Sequence, residues 1–268
     1  RMSQHLRQLQ EAGLVQRRKE GNAVFLSVGS AECVQPLFAL LDSWSAVAGP
    51  FAWFDADRAR LRAIRADRAL EAQRFFEKNS PRWGELRSLM VSDAEIQQAI
   101  LAALDGHDVG RLLDIGTGIG RMLELLAPRA TAALGIDRSP EMLRFARETL
   151  LGKVQAELRH ADMYALPMED QSFDTVILHQ VLHYAHHPEA VLAEAARVLA
   201  PGGRMLIVDV APHEHEELRR RFAHARLGFS DKQVLDWLQE VGLQASVTAH
   251  LPSELVTVIW RATRVATD

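Results

Sequence analysis

"LLDIGTGIGRMLELL", residues 112–126, decides how the rest of the chain is read. An apolar run leads into glycines at 116, 118 and 120, and an amphipathic run follows. The pattern predicts a strand, a tight loop and a helix. Glycine adopts backbone angles that side chains forbid, and it lets a ligand come close to the main chain. In the dinucleotide-binding pattern G-x-G-x-x-G, the third glycine follows the second by three residues. Here Arg121 holds that position and the third glycine comes one residue earlier, which argues against a nicotinamide dinucleotide. Taken alone, the loop is also compatible with a strand–helix turn that binds nothing.

The flanking sequence repeats the texture. RLLDI (111–115), TAALGI (131–136), VQAELRH (154–160), FDTVILH (173–179) and RMLIVDV (204–210) read as strands, with helical patterns between them. Such alternation predicts an α/β fold with a mostly parallel sheet covered by helices on both faces. Beyond Asp209 come a charged helix, a second helix in SDKQVLDWLQEVG (230–242), and the runs QASVTAH (244–250) and ELVTVIW (254–260). The last two are close enough in sequence to pair antiparallel, so the final strand is expected to run against the sheet.

Asp114 through Gly120 resembles the first motif of Rossmann-like S-adenosylmethionine-dependent methyltransferases, and three further stretches match in order. Asp137 in LGIDRS stands where that family places the acid that holds both ribose hydroxyls. Asp162-Met163 in HADMYALP stands at its adenine position. FDTVILHQVLHY and RVLAPGGRMLIVD resemble its fourth strand and the turn into its fifth. The resemblance implies S-adenosylmethionine as cofactor, bound by Asp114, Gly116, Thr117, Gly118, Gly120, Asp137, Arg138, Met142, Asp162, Met163 and His179. A carboxylate suits two hydroxyls on adjacent carbons. Asp137 alone would also pass for a helix-capping residue, and Asp162 for a turn residue.

Ligands of such sheets lie at the carboxyl ends of the strands, so residues after the fourth strand are candidates for the methyl acceptor's pocket. His179, His183 and Tyr184 fall there, and His213 follows the fifth strand. His183 resembles a histidine that follows a Val-Leu pair in many small-molecule methyltransferases, including those of quinone biosynthesis. It is the candidate catalytic residue, with base and positioning roles both open and packing beside the cofactor as the alternative. His187-Pro188 reads as a helix start. His213-Glu214-His215 reads as solvated charge rather than a metal site, since residues two apart share no helical face. Arsenite methyltransferases need several cysteines, and Cys33 is the single one here. Phe75, Phe76, Arg82 and Trp83 precede the fold; packing or a dimer contact is expected for the phenylalanines, and Trp83 is a candidate cover for the cofactor.

Residues 1–28 carry five Arg/Lys against two Glu, whereas the whole chain is at −4. A basic end on an acidic protein suggests a nucleic-acid-facing segment. SQHLRQLQEAGLVQRRKEGNAVFLSV (3–28) resembles the recognition helix and wing of ArsR-type winged helix-turn-helix regulators. That resemblance implies double-stranded DNA as a partner. Ser3, Gln4, Arg7 and Gln8 would face the major groove, and Arg17, Arg18 and Lys19 the phosphates. The alternative is an ordinary solvated helix and hairpin. The ArsR metal sites do not carry over: the recognition helix has no cysteine pair, and the helix expected over 31–47 offers only Asp42. The chain opens on Arg1 inside a helical pattern, so residues preceding it are expected to be missing from this numbering.

The expected organisation is a partial winged helix at 1–48, a helical connector or dimerisation region at 49–106 and a methyltransferase domain at 107–268. A helix over 57–78 and a capping box from Ser92 to Glu95 are expected inside the connector. No apolar run reaches membrane-spanning length, and a cytoplasmic protein without membrane contact is expected. The implied function is methylation of a small molecule by a homodimer that also regulates transcription. A regulator that uses the fold only to sense S-adenosylmethionine or S-adenosylhomocysteine is the alternative. A third reading is an ordinary enzyme whose winged helix serves dimerisation alone.

Overall fold

Leu112, Leu113, Ile115, Val176, Ile177 and Leu178 are all inaccessible to solvent. Strands apolar on both faces belong at the middle of a parallel sheet with helices on either side. The computed structural model bears this out. It describes residues 2–20, 23–48, 59–60, 63, 89–104 and 108–266, and it divides into units Arg1–Ala72 and Gln73–Asp268. The helix expected over 57–78 lies outside the described residues apart from three positions, as do Phe75, Phe76, Arg82 and Trp83.

The first unit holds α1 (Met2–Glu11), β1 (Val15–Glu20), β2 (Ala23–Val28) and α2 (Ala31–Ala48). Gly13, at φ +71°, turns the chain out of α1. The two strands pair antiparallel from Val15↔Val28 to Glu20↔Ala23, with Gly21 and Asn22 outside the described residues.

The second unit begins with α3 (Asp93–Ala103). Ser92 and Glu95 form the expected capping box, worth about 1 kcal/mol. The other helices are α4 (Arg121–Leu126), α5 (Pro140–Leu150), α6 (Pro188–Val198), α7 (Glu217–Phe222) and α8 (Asp231–Glu240). The strands are β3 (Gly110–Ile115), β4 (Ala130–Asp137), β5 (Glu157–His160), β6 (Phe173–His179), β7 (Leu199–Val210), β8 (Gln244–Leu251) and β9 (Thr257–Thr263). Their spatial order is β5-β4-β3-β6-β7-β9-β8. The first five are parallel, and β9 lies antiparallel to both β7 and β8. After β3 the chain builds one side of the sheet, then returns to build the other from β6. The β3/β6 boundary is therefore the point where strand order reverses, and crevices open at the carboxyl ends there.

Alternate residues of each strand serve opposite faces. Leu113, Ile115, Val176, Leu178 and Ile207 pack with α6 and α8, whereas Leu112, Ile177, Leu206 and Ile259 pack with α3 and α4. Ile96 and Ile100 seat α3 in the second of these cores. Each such side chain contributes about 1.5–3 kcal/mol on leaving water.

Four expectations need correction. β5 starts at Glu157 rather than Val154, β9 at Thr257 rather than Glu254, and β7 at Leu199 rather than Arg204, its first residue pairing with Phe173 across an irregularity in register. Pro252 and a turn in which Ser253 Oγ donates to the Leu255 carbonyl at 2.6 Å delay β9. The segment between β5 and β6 is not helical but a series of turns. A helix would satisfy its own backbone; here Arg197 does so, donating to the carbonyls of Leu166 and Met168 at 3.0 and 2.9 Å. Glu194 accepts from the Leu166 N–H at 2.7 Å. One ion pair on α6 thus holds the segment that carries Asp162.

Candidate active site

The glycine loop leaves β3 with positive φ at Gly116 (+73°), Gly118 (+54°) and Gly120 (+85°). A Cβ on Gly116 would lie 2.3 Å from Val181 Cγ2, so this position is closed to any side chain. Two hydrogen bonds staple the loop to the end of β4. The Thr117 N–H donates to the Ile136 carbonyl at 2.8 Å, and the Gly118 N–H to Asp137 Oδ2 at 2.9 Å. The Ser139 N–H donates to Asp137 Oδ1 at 2.8 Å. One backbone donor on each oxygen fixes the plane of the carboxylate, and each oxygen keeps a lone pair for a further partner. Burial pushes the Asp137 carboxyl up, and the backbone donors oppose that rise. Met142 is buried on α5, where its N–H caps onto Ser139 Oγ.

Asp162 sits on a short loop beside Asp137, to whose carbonyl the Ala161 N–H donates at 3.2 Å. The Tyr164 N–H donates to Asp162 Oδ1 at 3.1 Å, and Arg138 Nη1 stands 3.9 Å from Oδ2. This exposed pair contributes about 0–1 kcal/mol. Met163 packs partly buried against the core.

Asp114 is 1% exposed, and its Oδ2 accepts from Thr117 Oγ1 at 2.6 Å. Burial pushes its carboxyl up to about 7; the Thr117 hydroxyl opposes the shift and the charge of Asp137 adds to it. The unfolded carboxyl would titrate near its ordinary 3.8, so the folded state holds the extra proton between 3.8 and about 7. Stability is then full below about pH 4 and falls as pH rises to about 7. Asp114→Asn keeps an acceptor for Thr117 and removes the titration. Relative to wild type, the variant should gain on the order of 2 kcal/mol between about pH 5 and about pH 8. Thermal unfolding at the two pH values checks this, and parallel curves for the two proteins would contradict it.

Past β6 the chain takes a left-handed residue, Gln180 (φ +50°), and a 3-10 turn over Leu182–Tyr184. That turn buries His183 to 1% exposure against Asp209 near the end of β7. His183 Nδ1 lies 2.8 Å from Asp209 Oδ1, and its own N–H donates to Oδ2 at 3.2 Å. The Val210 N–H adds a third bond, to Oδ1, at 2.8 Å. His224, 3% exposed, stacks on the His183 ring with centroids 4.0 Å apart and planes at 28°. Tyr184 closes the group at 4.1 Å from His183 and 5.3 Å from His224. Burial holds His179 and His213 down to about 4 and pushes His224 down as well, so these three rings are neutral at pH 7. Burial raises the Tyr184 phenol, which keeps its proton.

The structure therefore brings Asp114, Thr117, Gly116, Gly118 and Asp137 into one loop system with Asp162 beside it. It gathers His179, His183, Tyr184 and His213 around Asp209. Ile115 pairs with Leu178, and Gly116 abuts Val181 two residues before His183, so the two groups adjoin. His187 stands at the residue before α6, with Pro188 in the first turn and no capping bond from its side chain, the helix start expected. Sequence reasoning missed Asp209 and His224 as members of the cluster. Asp209 read as a strand residue, and His224 lies 41 positions after His183 in a segment with no pattern; only the fold joins them. Among the described residues, no group of three His, Cys, Asp or Glu is arranged to hold a metal ion. No helix among them is long and apolar enough to cross a membrane. In the first unit, Gln4, Arg7, Gln8 and Arg17 are exposed, and Ser3, Arg18 and Lys19 lie outside the described side chains.

Residues 113–207 match a family model described as a methyltransferase domain. The chain is 34% identical over 164 residues to an uncharacterized 37.1 kDa protein in a transposon of Streptomyces fradiae, covering 59% of this chain and 48% of that one. It is 33% identical over 144 residues to a demethylmenaquinone methyltransferase of Thermus thermophilus, covering 52% and 65%. The chain thus spans about half to two thirds of the length of these curated relatives. Among solved structures, the YcgJ protein from Bacillus subtilis superposes with a TM-score of 0.59 at 18% identity, over 65% of this chain and 100% of that one. That likeness concerns the fold. The matched segment is a methyltransferase domain of the S-adenosylmethionine-dependent kind, with S-adenosylmethionine as its cofactor.

Proposed function

We propose that this domain, taken as residues 107–268, transfers a methyl group from S-adenosylmethionine to a small molecule held by the histidine cluster. The observation that carries the reading is the juxtaposition at the β3/β6 boundary. The glycine turn is closed by Val181, two residues before His183, and carries the oriented Asp137 carboxylate on its other side; the buried Nε2 of His183 has no hydrogen-bond partner among the described residues. Asp137 would take the ribose hydroxyls, Asp162 and Met163 the adenine end, and the Gly116–Gly118 backbone the methionine end. When bound, the cofactor supplies a methyl group on a sulfonium, and displacement there is chiefly a matter of alignment. The likeness to a demethylmenaquinone methyltransferase supports a small-molecule methyl acceptor for this chain. Incubating the full chain with methyl-labelled cofactor and an acceptor panel tests the reading; label transferred in a His183-dependent way supports it.

The first unit supports a second activity. Its helix, antiparallel hairpin and following helix are the elements of a partial winged helix over 1–48, with 49–106 as connector. Gln4, Arg7 and Gln8 are exposed on α1, and Arg17 on β1. The unit would bind double-stranded DNA as part of a homodimer that regulates transcription, for which the exposed Leu37, Phe38 and Leu40 of α2 offer an apolar face. If Arg17 meets a phosphate, Arg17→Ala weakens binding on all sequences alike. It also flattens the slope of log affinity against log salt by about 0.9. Fluorescence titrations on a duplex across salt concentrations check this, and an unchanged slope would remove Arg17 from the interface.

A further inference from the structure

We infer that Asp209 is a positioning residue that sets His183 as a base, and that His183 and His224 together receive a planar acceptor bearing an acidic hydroxyl. The inference rests on the methyltransferase reading and names the acceptor class for it. An ionised carboxylate only accepts hydrogen bonds, and Asp209 receives three: the Val210 N–H, the His183 N–H and His183 Nδ1–H. Backbone bonds at both oxygens leave the carboxylate one orientation. With the proton held on Nδ1, the neutral imidazole has its lone pair on Nε2. That atom is buried and without a hydrogen-bond partner among the described residues.

His224 carries the second half of the inference. Both of its ring nitrogens are buried and unpartnered among the described residues. A neutral imidazole has one donor and one acceptor, and native proteins rarely leave such groups unmet. A bound molecule with its own donor and acceptor would meet them. The faces of His183 and His224 cover one another at 4.0 Å, so a bound molecule would meet the ring edges. A hydroxyl acidic enough to give its proton to an imidazole sits on a flat aromatic ring. Because a neutral amine already has a free lone pair, it needs no base. A hydroxyl must lose its proton to become a good nucleophile, and the Asp209–His183 pair serves that need.

The step balances. The acceptor O–H proton passes to His183 Nε2, and an oxygen lone pair forms the new O–CH3 bond. The C–S bond breaks with its electrons going to sulfur. The products are a methyl ether, S-adenosylhomocysteine and an imidazolium, which returns its proton to solvent.

The test needs no turnover. 4-Nitrophenol absorbs differently as phenol and phenolate, so its ionisation in the full chain loaded with S-adenosylhomocysteine is read directly. In wild type the bound probe should ionise about tenfold more readily than free probe. His183→Gln and Asp209→Asn should abolish that shift with S-adenosylhomocysteine affinity changed by no more than about twofold, and Asp209→Glu should restore part of it. In wild type alone, 4-nitroaniline, of similar size but without the acidic hydroxyl, should bind at least about tenfold more weakly. Equal binding of the two probes, no binding of 4-nitrophenol, or a shift that survives Asp209→Asn overturns the inference. Absence of S-adenosylhomocysteine binding overturns the methyltransferase reading itself, and the inference with it.

Discussion

His183→Ala lowers methyl transfer by about 10²–10⁴-fold while cofactor affinity stays within about twofold. The size follows from what is lost. A positioned general base accounts for that range, and Asp209 has no other side chain among the described residues to orient. Truncation also leaves Asp209 buried with one donor fewer, which destabilises the protein, so kcat is compared at a temperature where both proteins are folded. Single-turnover rates with saturating cofactor separate the two roles of the ring. A fall in rate with unchanged cofactor affinity marks the acceptor side. Equal loss of both would mean that His183 only packs beside the cofactor.

Gly116→Ala is expected to cost about 2–6 kcal/mol of stability, from a left-handed backbone and an overpacked contact together. The residue is at φ +73°, and the new methyl would stand 2.3 Å from Val181 Cγ2. Val181→Gly in the same chain removes the collision but leaves the backbone strain, so it restores only the steric share. Urea unfolding of the single and double variants measures both parts. A fully rescued double variant would show that strain at this φ is small; an unaffected single variant would show that the turn is not as tight as its geometry says.

The strands that build this turn were legible because a parallel sheet writes itself as short apolar runs. β6 has the bounds its sequence predicts, and the β3–loop–α4 unit follows from the LLDI run and its glycines. What misled was the 161–172 segment. Its apolar spacing resembled a helix, yet Pro167 and the long-range bonds from Arg197 and Glu194 hold it as turns. No local pattern carries such partners. The candidate site divides the same way. Asp137 and the glycines stand out because each follows directly on a strand end. The Asp209–His183–His224 cluster stayed hidden, because it joins the end of β7 to a loop after α7 through tertiary contacts alone.

Asp137 is the residue expected to hold the nucleoside of the cofactor. Titration calorimetry of the full chain with S-adenosylhomocysteine, in parallel with Asp137→Ala, measures this most directly. One site is expected in wild type. In the variant the affinity should fall by about 10–150-fold, the equivalent of roughly 1.5–3 kcal/mol for hydrogen bonds to a charged partner. Thermal unfolding of the variant verifies that it is folded, since the Gly118 and Ser139 N–H groups also lose their acceptor. No heat of binding in wild type, or equal affinity in a folded Asp137→Ala protein, would contradict the account.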